Sequence, residues 1–479
     1  MAIDTTVTSS GTFSVSNAIT GKLGTVTGAN TLTKAGEGTL AIASAIDNSA
    51  SASGITVSAG TLSAAAAQNL PVLTTLNGGI LALANGVTTE REIAVAANSS
   101  VNVASGASAT LGGAAAMLTG GRTLTKTGAG TLALSGNKAD ATTAFTVQAG
   151  TLSIGDPLQL PAGGSPALTL AGGTLATTAV LSLPLAITLT GNSTLDTGAN
   201  AVTQANAITG AFALTKAGSG TLTLAADNSA AASTLNVNVG TVSISAANQL
   251  PGASLTLSGG QLTVNGGAPI TIAQQAIDLS ANSAIRTVSP TVISSALTET
   301  GERTLTKSGA ESLEISSDIS TFTGIAVTEG TLVATDGDYL PVTTTLNGAT
   351  AVLSLANGVT SARTIAIGAD GASIDVDAGE AILGGGEGSL TGANTLTKTG
   401  AGTLRISGDK SASQTNIYVT AGILKADAGE NFPASVEIDS AATLLTAGEI
   451  PALGGRTITM YSGSILNLGG NFAAAITIA

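Results

Sequence analysis

Hydrophobic and polar positions alternate with a period of two along almost the whole chain. Leu, Ile and Val stand at every second position, Thr, Ser and Ala lie between them, and Gly, Asn or Pro interrupts every few residues. This period is typical of β-strands that bury one face. The best helical candidate, residues 63–68, is one turn long and is followed by Leu70-Pro71. The pattern predicts an all-β protein.

One strand–turn–strand motif, Leu-Thr-Lys-x-Gly-x-Gly-Thr-Leu, recurs five times. Its lysines are Lys34, Lys126, Lys216, Lys307 and Lys398. The steps between them are 92, 90, 91 and 91 residues, and the fourth copy carries Glu311 in place of the second glycine. A long, even repeat indicates a fold in which similar units stack on one another.

Further landmarks divide each repeat. A Gly-Thr-Leu-like triplet follows each lysine by 23 to 26 residues, and an apolar residue with proline comes about ten residues later. Strand clusters every 20 to 25 residues predict about four coils of about 23 residues in each repeat.

We therefore predict a single long parallel β-helix (β-solenoid) of about 21 coils, with residues 1–479 as one domain. Five 91-residue super-repeats would start near residues 27, 119, 209, 300 and 391. The apolar pairs after the glycine turns should be buried and stacked at four-coil intervals. They are Leu40, Ile42, Leu132, Leu134, Leu222, Leu224, Leu313, Ile315, Leu404 and Ile406.

Composition is consistent with a solenoid. Only 2% of the 479 residues are aromatic and 9% are charged, so a large globular core is not expected, whereas stacked coils have only a narrow interior to fill. The chain has no cysteine and no histidine, which excludes disulfides and thiolate metal sites. No run of about 20 apolar residues predicts a membrane span. The amino terminus also lacks the basic and apolar regions of a usual signal peptide.

The charge is acidic and uneven. Residues 1–240 hold nine acidic and seven basic residues, a balance of −2, and residues 241–479 hold twenty and nine, a balance of −11. The sum is the net charge of −13. Because an acidic surface repels phosphate backbones, nucleic acid is not expected as a partner.

The motif resembles the passenger-associated β-strand repeat of bacterial autotransporters and related surface proteins. The resemblance rests on Leu-Thr-Lys-x-Gly-x-Gly-Thr-Leu followed by Ala-Gly-Thr-Leu, most closely at residues 125–134 with residues 149–152. It implies a secreted parallel β-helix at the bacterial surface, in a family of adhesins, matrix proteins and inert stalks. The translocator domain of such proteins is not evident here. We therefore do not expect a self-exporting autotransporter, unless the sequence is an excised passenger.

Candidate chemistry is sparse. Asp375 and Asp377 alternate so as to share one strand face and are a weak calcium candidate, but a calcium site needs six to eight oxygens. Solvated surface charge is the alternative, and no catalytic or cofactor-binding residue is predicted. The motif lysines would lie roughly 19 Å apart on one side, too far for a shared site. We expect them to donate hydrogen bonds to turn carbonyls or to discourage edge pairing.

The two ends of the chain suggest self-assembly. The distances from the first lysine back to Met1 and from the last lysine on to Ala479 fit a whole number of coils, so one copy could follow another in register. Neither terminal coil, residues 1–26 or 465–479, carries an evident cap. The predicted interface consists of Ile3, Phe13, Val15, Ile19, Ile465, Leu466, Phe472, Ile476 and Ile478.

These expectations leave three functional hypotheses. The leading one is a secreted structural protein whose subunits stack head-to-tail into an extracellular filament or matrix fibre. The alternative is a monomeric adhesin or passenger stalk at the cell surface, and a polysaccharide-active β-helix enzyme is a distant third. The partner is the chain itself, with a cell-surface or matrix polysaccharide as the further partner considered.

Overall fold

The fold consists of two solenoid units. A computed structural model describes residues 3–7, 9–16, 19–163, 168–273, 276–448, 456–470 and 476–479, with backbone alone for residues 3–7 and 115. Met1–Val242 and Asn248–Gly252 form the first unit, and Ser243–Ala247 and Ala253–Ala479 form the second. Each unit is wound from parallel strands, which confirms the predicted all-β parallel β-solenoid.

The strands of the first unit are short. They are β1 (Ile3–Val7), β2 (Gly11–Ser14), β3 (Thr20–Gly28), β4 (Leu32–Ala35), β5 (Thr39–Ile42), β6 (Ile55–Val57), β7 (Thr61–Ala64), β8 (Leu73–Asn77), β9 (Ile80–Leu83), β10 (Thr88–Thr89), β11 (Glu92–Ala97), β12 (Ser99–Val103), β13 (Ser108–Leu111), β14 (Leu118–Thr119), β15 (Thr123–Thr127), β16 (Thr131–Leu134), β17 (Ala144–Val147), β18 (Thr151–Ile154), β19 (Leu168–Ala171), β20 (Thr174–Thr177), β21 (Leu181–Leu183), β22 (Ile187–Gly191), β23 (Ser193–Asp196), β24 (Ala201–Gln204), β25 (Ile208–Gly210), β26 (Leu214–Ala217), β27 (Thr221–Leu224) and β28 (Thr234–Val237).

The strands that follow are of similar length, and the first of them, β29 (Thr241–Ile244), contains the boundary between the units. The others are β30 (Ser254–Leu257), β31 (Gln261–Val264), β32 (Ile270–Ile272), β33 (Ala276–Leu279), β34 (Ser283–Thr287), β35 (Thr291–Ile293), β36 (Leu297–Glu299), β37 (Thr304–Ser308), β38 (Leu313–Ile315), β39 (Gly324–Val327), β40 (Gly330–Ala334), β41 (Thr343–Leu346), β42 (Ala351–Leu355), β43 (Thr360–Ser361), β44 (Thr364–Ile367), β45 (Ala372–Asp375), β46 (Glu380–Leu383), β47 (Leu390–Thr391), β48 (Thr395–Thr399), β49 (Thr403–Ile406), β50 (Asn416–Val419), β51 (Gly422–Ala426), β52 (Ser435–Ile438), β53 (Ala442–Thr446), β54 (Thr457–Met460), β55 (Ile465–Leu468) and β56 (Ile476–Ile478).

Helical structure in the described residues is limited to single 3₁₀ turns. They are η1 (Ala67–Asn69), η2 (Ala115–Met117), η3 (Pro157–Gln159), η4 (Ala247–Gln249), η5 (Gly337–Tyr339) and η6 (Gly429–Asn431). None of the helices found in the described part of the chain is long and apolar enough to cross a membrane.

A complete coil has three strands on three different sheets. In the first unit β12, β13 and β14 follow one another, and β15 then pairs in parallel with β12. In the second unit β44, β45 and β46 form such a coil, and β47 pairs with β44. Each strand is thus hydrogen-bonded to the strand one coil away, as in other β-solenoids.

The coil that contains a motif lysine lacks a strand on one of its three sides, and so does the next coil. After β16 this side is crossed by residues 135–143, and after β18 it is crossed by a segment that contains η3. In the second unit the corresponding segments are residues 407–415 and residues 427–434, the latter with η6. Loops therefore replace a strand at regular intervals.

The predicted stacking of the repeats at four-coil intervals is wrong. From β4, which holds Lys34, the same sheet continues through β6, β8 and β11 to β14, four coils later, and the next lysine lies on the following side, in β15. From β15 the sheet continues to β25, and Lys216 again lies one side further, in β26. In the second unit β37 leads to β47 and Lys398 lies in β48. One repeat therefore winds through four complete coils and then along one further side of the next coil.

The core is formed by the inward positions of every strand. The ten predicted core residues are all buried, with exposed fractions of 3% or less, as expected from their spacing: Leu40, Ile42, Leu132, Leu134, Leu222, Leu224, Leu313, Ile315, Leu404 and Ile406. Because coils stack at strand spacing, each of these side chains packs between coils above and below it. The burial prediction is confirmed, although successive pairs lie on different sides.

Candidate functional site

Each motif lysine points into the solenoid and binds three backbone carbonyl oxygens. Lys126 Nζ donates to the carbonyl oxygens of Thr127, Gly128 and Ala149 at 2.8, 2.7 and 3.1 Å. The other four make the same three contacts at 2.5–3.3 Å: Lys34, Lys216, Lys307 and Lys398. The prediction that these lysines donate to turn carbonyls is confirmed.

The third acceptor explains the spacing of the two sequence landmarks. Ala149 precedes the Gly-Thr-Leu triplet that follows Lys126, and Ala59 and Val239 hold the same place after Lys34 and Lys216. Each lysine therefore fixes its own Gly-x-Gly corner and joins it to the corner of the next coil. The two landmarks recur together because they form one hydrogen-bonded unit.

Glycine has a geometric reason at both motif positions in the second repeat. Gly128 has φ +73°, in the left-handed region that favours glycine. A Cβ on Gly130 would lie 2.1 Å from the carbonyl oxygen of Ala104 in the preceding coil. In the fourth repeat the second glycine is Glu311, whose side chain is exposed and whose carbonyl oxygen accepts a 2.8 Å hydrogen bond from Thr287 Oγ1.

Burial changes the proton affinity of these lysines. All five are 0% exposed, and none forms an ion pair with a described carboxylate within 4.0 Å. Burial lowers the pKa of four of them to about 8, namely Lys126, Lys216, Lys307 and Lys398. Burial also lowers the pKa of Lys34, and the nearby Glu37 opposes that shift.

A lowered pKa is typical of lysines that act as nucleophiles or bases, but such lysines must reach a substrate. Here the ammonium groups are enclosed by backbone and hold three acceptors each. The geometry supports a structural role, in which the charge donates to carbonyl oxygens of two successive corners.

Two further buried lysines, Lys138 and Lys410, were not predicted. Each lies 12 residues after a motif lysine and donates three hydrogen bonds at 2.7–3.1 Å; those of Lys138 go to Gly112, Gly113 and Ser135. Asn228, at the same offset, instead accepts from the backbone N–H of Ile208. A polar residue stands at this offset in three of the five repeats, whereas the first and fourth carry Ile46 and Ile319, so the sequence carried only a partial signal for these lysines.

The two residues of the calcium candidate lie at the surface of the solenoid. Asp375 and Asp377 both point outward, on either side of the buried Val376, as their alternation predicted. Asp375 accepts a 2.8 Å hydrogen bond from Thr399 Oγ1. In the described part of the chain no three His, Cys, Asp or Glu residues group so that they could hold a metal ion.

Most of the described assembly residues lie on or directly after outermost strands of their sheets, whereas Ile19 precedes β3, which is paired on both sides. In the first unit Phe13 is half-buried on β2, Val15 is already buried, and Ile19 is 57% exposed. The side chain of Ile3 and the whole of Phe472 are outside the described residues.

In the second unit the predicted residues lie on β55 and β56, the outermost strands of two sheets. Ile465 is 59% exposed and Ile478 is 83% exposed, whereas Leu466 and Ile476 are half-buried. Exposed apolar side chains thus stand beside a strand edge that has a neighbour on one side only.

Shallow grooves of about 360–410 Å³ recur in the first, third and fifth repeats. They lie beside the segments that replace a strand and are lined mainly by Ala, Gly, Thr and Ser. The carboxylates of Asp47 and Asp227 accept from the backbone N–H of the serine two residues on, which shapes the loop. These grooves hold no acid–base pair.

Comparison with known families agrees with this geometry. Five segments match the family model of the Passenger-associated-transport-repeat, at residues 32–64, 124–154, 214–244, 305–334 and 396–426. Each match covers one lysine corner and the next coil. Comparison with curated proteins gives no match, and comparison with solved structures gives none either. The suspected repeat family is confirmed, and it fits the passenger of a bacterial autotransporter or a related surface protein.

Proposed function

We propose that this chain, which carries five copies of the passenger-associated transport repeat, is a structural β-solenoid of the bacterial surface or extracellular matrix and not an enzyme. The observation that carries the proposal is the use made of the buried cations. Once in every repeat a lysine is enclosed by backbone and joins two successive coils. Such sites maintain a long, regular stack and offer nothing to a substrate.

The finer proposal is that copies of the solenoid stack end to end into a filament. It is supported by β55 and β56 in the second unit and by β1 and β2 in the first, which are outermost strands of their sheets. An outermost strand presents unpaired N–H and C=O groups that can pair with another chain. The exposed Ile465 and Ile478 would be covered by the same contact.

Electron microscopy and sedimentation of the purified chain test the stacking. Wild-type protein should form filaments as its concentration rises. The double variant Ile465→Lys, Ile478→Lys should stay monomeric with an unchanged circular dichroism spectrum, because both side chains are exposed in the single copy and two charges would have to be desolvated at the contact.

The matched control is Val180→Lys, which places the same charge at an apolar residue that is 74% exposed elsewhere in the first unit. Filaments should persist in this variant. If wild-type protein remains monomeric at high concentration, or if the double variant still forms filaments, end-to-end stacking through these edges is wrong and the monomeric stalk is the better description.

A further inference from the structure

One outer face in the second unit groups two of the three tyrosines of the chain with two carboxylates. Tyr418 on β50 lies opposite Glu437 on β52, and Glu437 lies opposite Thr459 on β54. Asp439 directly follows β52 and Tyr461 directly follows β54. We call Tyr418, Glu437, Asp439 and Tyr461 the tyrosine–carboxylate patch.

The patch is held together by hydrogen bonds between neighbouring coils. The hydroxyl of Tyr418 donates to Asp439 Oδ2 at 2.9 Å, and the hydroxyl of Tyr461 donates to Glu437 Oε2 at 3.1 Å. The four side chains are half-buried or exposed, and Tyr461 is 37% exposed. Both tyrosines are therefore at least partly exposed and are fixed at their hydroxyl ends.

The patch carries two carboxylates and, in the described part of the chain, no paired cation. Among the described residues, no lysine or arginine lies within 4.0 Å of the Glu437 or Asp439 carboxylate, whereas Glu380 and Asp427 share Arg405 on another sheet. Hydrogen bonds from the Ser440 N–H and the Tyr418 hydroxyl lower the pKa of Asp439, so this carboxylate stays ionised. The same pairing raises the pKa of Tyr418, which keeps the phenol neutral.

A phenol that donates to a carboxylate is polarised toward its oxygen, and the negative face of its ring then attracts cations more strongly. The patch thus offers two kinds of attraction within one surface: two charged acceptors and two electron-rich ring faces. A ligand that uses both must carry positive charge and flat apolar C–H faces.

The position of the patch favours a sugar polymer over a peptide. Strand β52 is already paired with β50 on one side and with β54 on the other, so no backbone edge is open for strand addition. A ligand here contacts side chains alone, spread over three adjacent coils. An oligosaccharide lying across the strands meets that requirement, since its own ring faces and amino groups supply every contact.

We propose that the tyrosine–carboxylate patch binds oligomers of amino sugars with free, protonated amines. Sugar-ring C–H faces pack on Tyr418 and Tyr461, and ammonium groups meet the carboxylates of Glu437 and Asp439. The inference adds a ligand to the proposed surface role and does not depend on stacking.

Isothermal titration with a β-linked glucosamine hexamer at pH 6 tests the proposal, with the fully N-acetylated hexamer as the uncharged comparison. The glucosamine hexamer should bind, and the N-acetylated hexamer should bind at least about tenfold more weakly because it lacks the charge. Two double variants test the patch, Tyr418→Ala with Tyr461→Ala and Glu437→Gln with Asp439→Asn. Each should lose about tenfold or more in affinity for the glucosamine hexamer.

The matched control is the double variant Tyr339→Ala with Asp336→Asn, which removes the remaining tyrosine and a neighbouring carboxylate at η5. It should bind the glucosamine hexamer as tightly as the wild type does. Circular dichroism checks that every variant is folded. No binding of the glucosamine hexamer at millimolar concentration, equal binding of a lysine hexapeptide, or patch variants that bind as well as wild type would each overturn the proposal. Filament formation is scored separately, so failure here leaves the structural role standing.

Discussion

At the scale of residues, the buried lysines of this solenoid donate hydrogen bonds to the backbone. The motif lysines are buried without a described ionic partner, and each satisfies three carbonyl oxygens. A buried charge is costly, but buried carbonyl oxygens that lack hydrogen bonds are also costly, and one ammonium group supplies three donors to such oxygens. Lysine is suited to this place because it offers three donors at the end of a flexible apolar stem.

Lys126→Met tests this balance. Methionine fills a similar volume but leaves the carbonyl oxygens of Thr127, Gly128 and Ala149 without their donor, so we expect a loss of about 1–3 kcal/mol in the free energy of unfolding. Urea unfolding followed by circular dichroism measures it. Lys22→Met is the control, because Lys22 is exposed, and it should change stability by less than about 0.5 kcal/mol. Equal stabilities of the two variants would contradict the structural role of the corner.

At the scale of elements, the corners decide how closely coils approach. The first glycine of the motif supplies a positive φ, and the second lets the corner touch the carbonyl of the coil before it. The strands between corners are only a few residues long, so errors at a corner shift the register of the whole coil. The loops that replace a strand after each lysine corner show that the stack tolerates irregular sides, provided that these corners remain.

Gly130→Ala should therefore be disruptive although it adds one methyl group. The new Cβ would lie 2.1 Å from the Ala104 carbonyl oxygen, which belongs to the backbone and cannot move aside without shifting a coil. We expect a loss of about 2 kcal/mol or more, measured by urea unfolding. Gly386→Ala is the control, since a Cβ there meets nothing within 4 Å, and an equally large effect of that variant would argue against the corner explanation.

For the whole molecule, the buried lysines add up to one measurable property. Four of them have a pKa lowered by burial to about 8, against 10.5 for an ordinary lysine. Between these values the folded protein loses protons that the unfolded chain keeps. Stability then rises with pH, because the unfolded state binds more protons.

We expect the urea midpoint to increase from pH 7.5 to pH 9.5, a window below the usual range of tyrosine ionisation. Carbon-13 NMR of labelled lysines should show Cε resonances that titrate near pH 8 in the folded protein. Lys216→Met should remove one such resonance and reduce the gain in stability. A midpoint that falls across this window would show that the buried ammonium groups keep their protons.

The sequence by itself determined the local properties of the chain. Alternation identified the strands and the buried faces, as at Leu132 and Leu134, because side-chain direction in a strand depends only on position. Glycine spacing identified the corners, since a positive φ is a local requirement. Two of the three acceptors of each motif lysine also followed, because these turn carbonyls are one and two residues away in sequence, whereas the third, such as Ala149 for Lys126, comes from the next coil.

Only the tertiary structure decided the features that depend on the total number of residues around each coil. Whether a repeat is four coils or four coils and one side depends on each loop and bulge in it, and the average spacing of landmarks hides that difference. Register likewise brings Tyr418 beside Asp439, 21 positions away, and encloses Lys138 against Gly112 and Gly113. Contacts between coils are set by parallel pairing, and pairing is a property of the folded stack and not of any one segment.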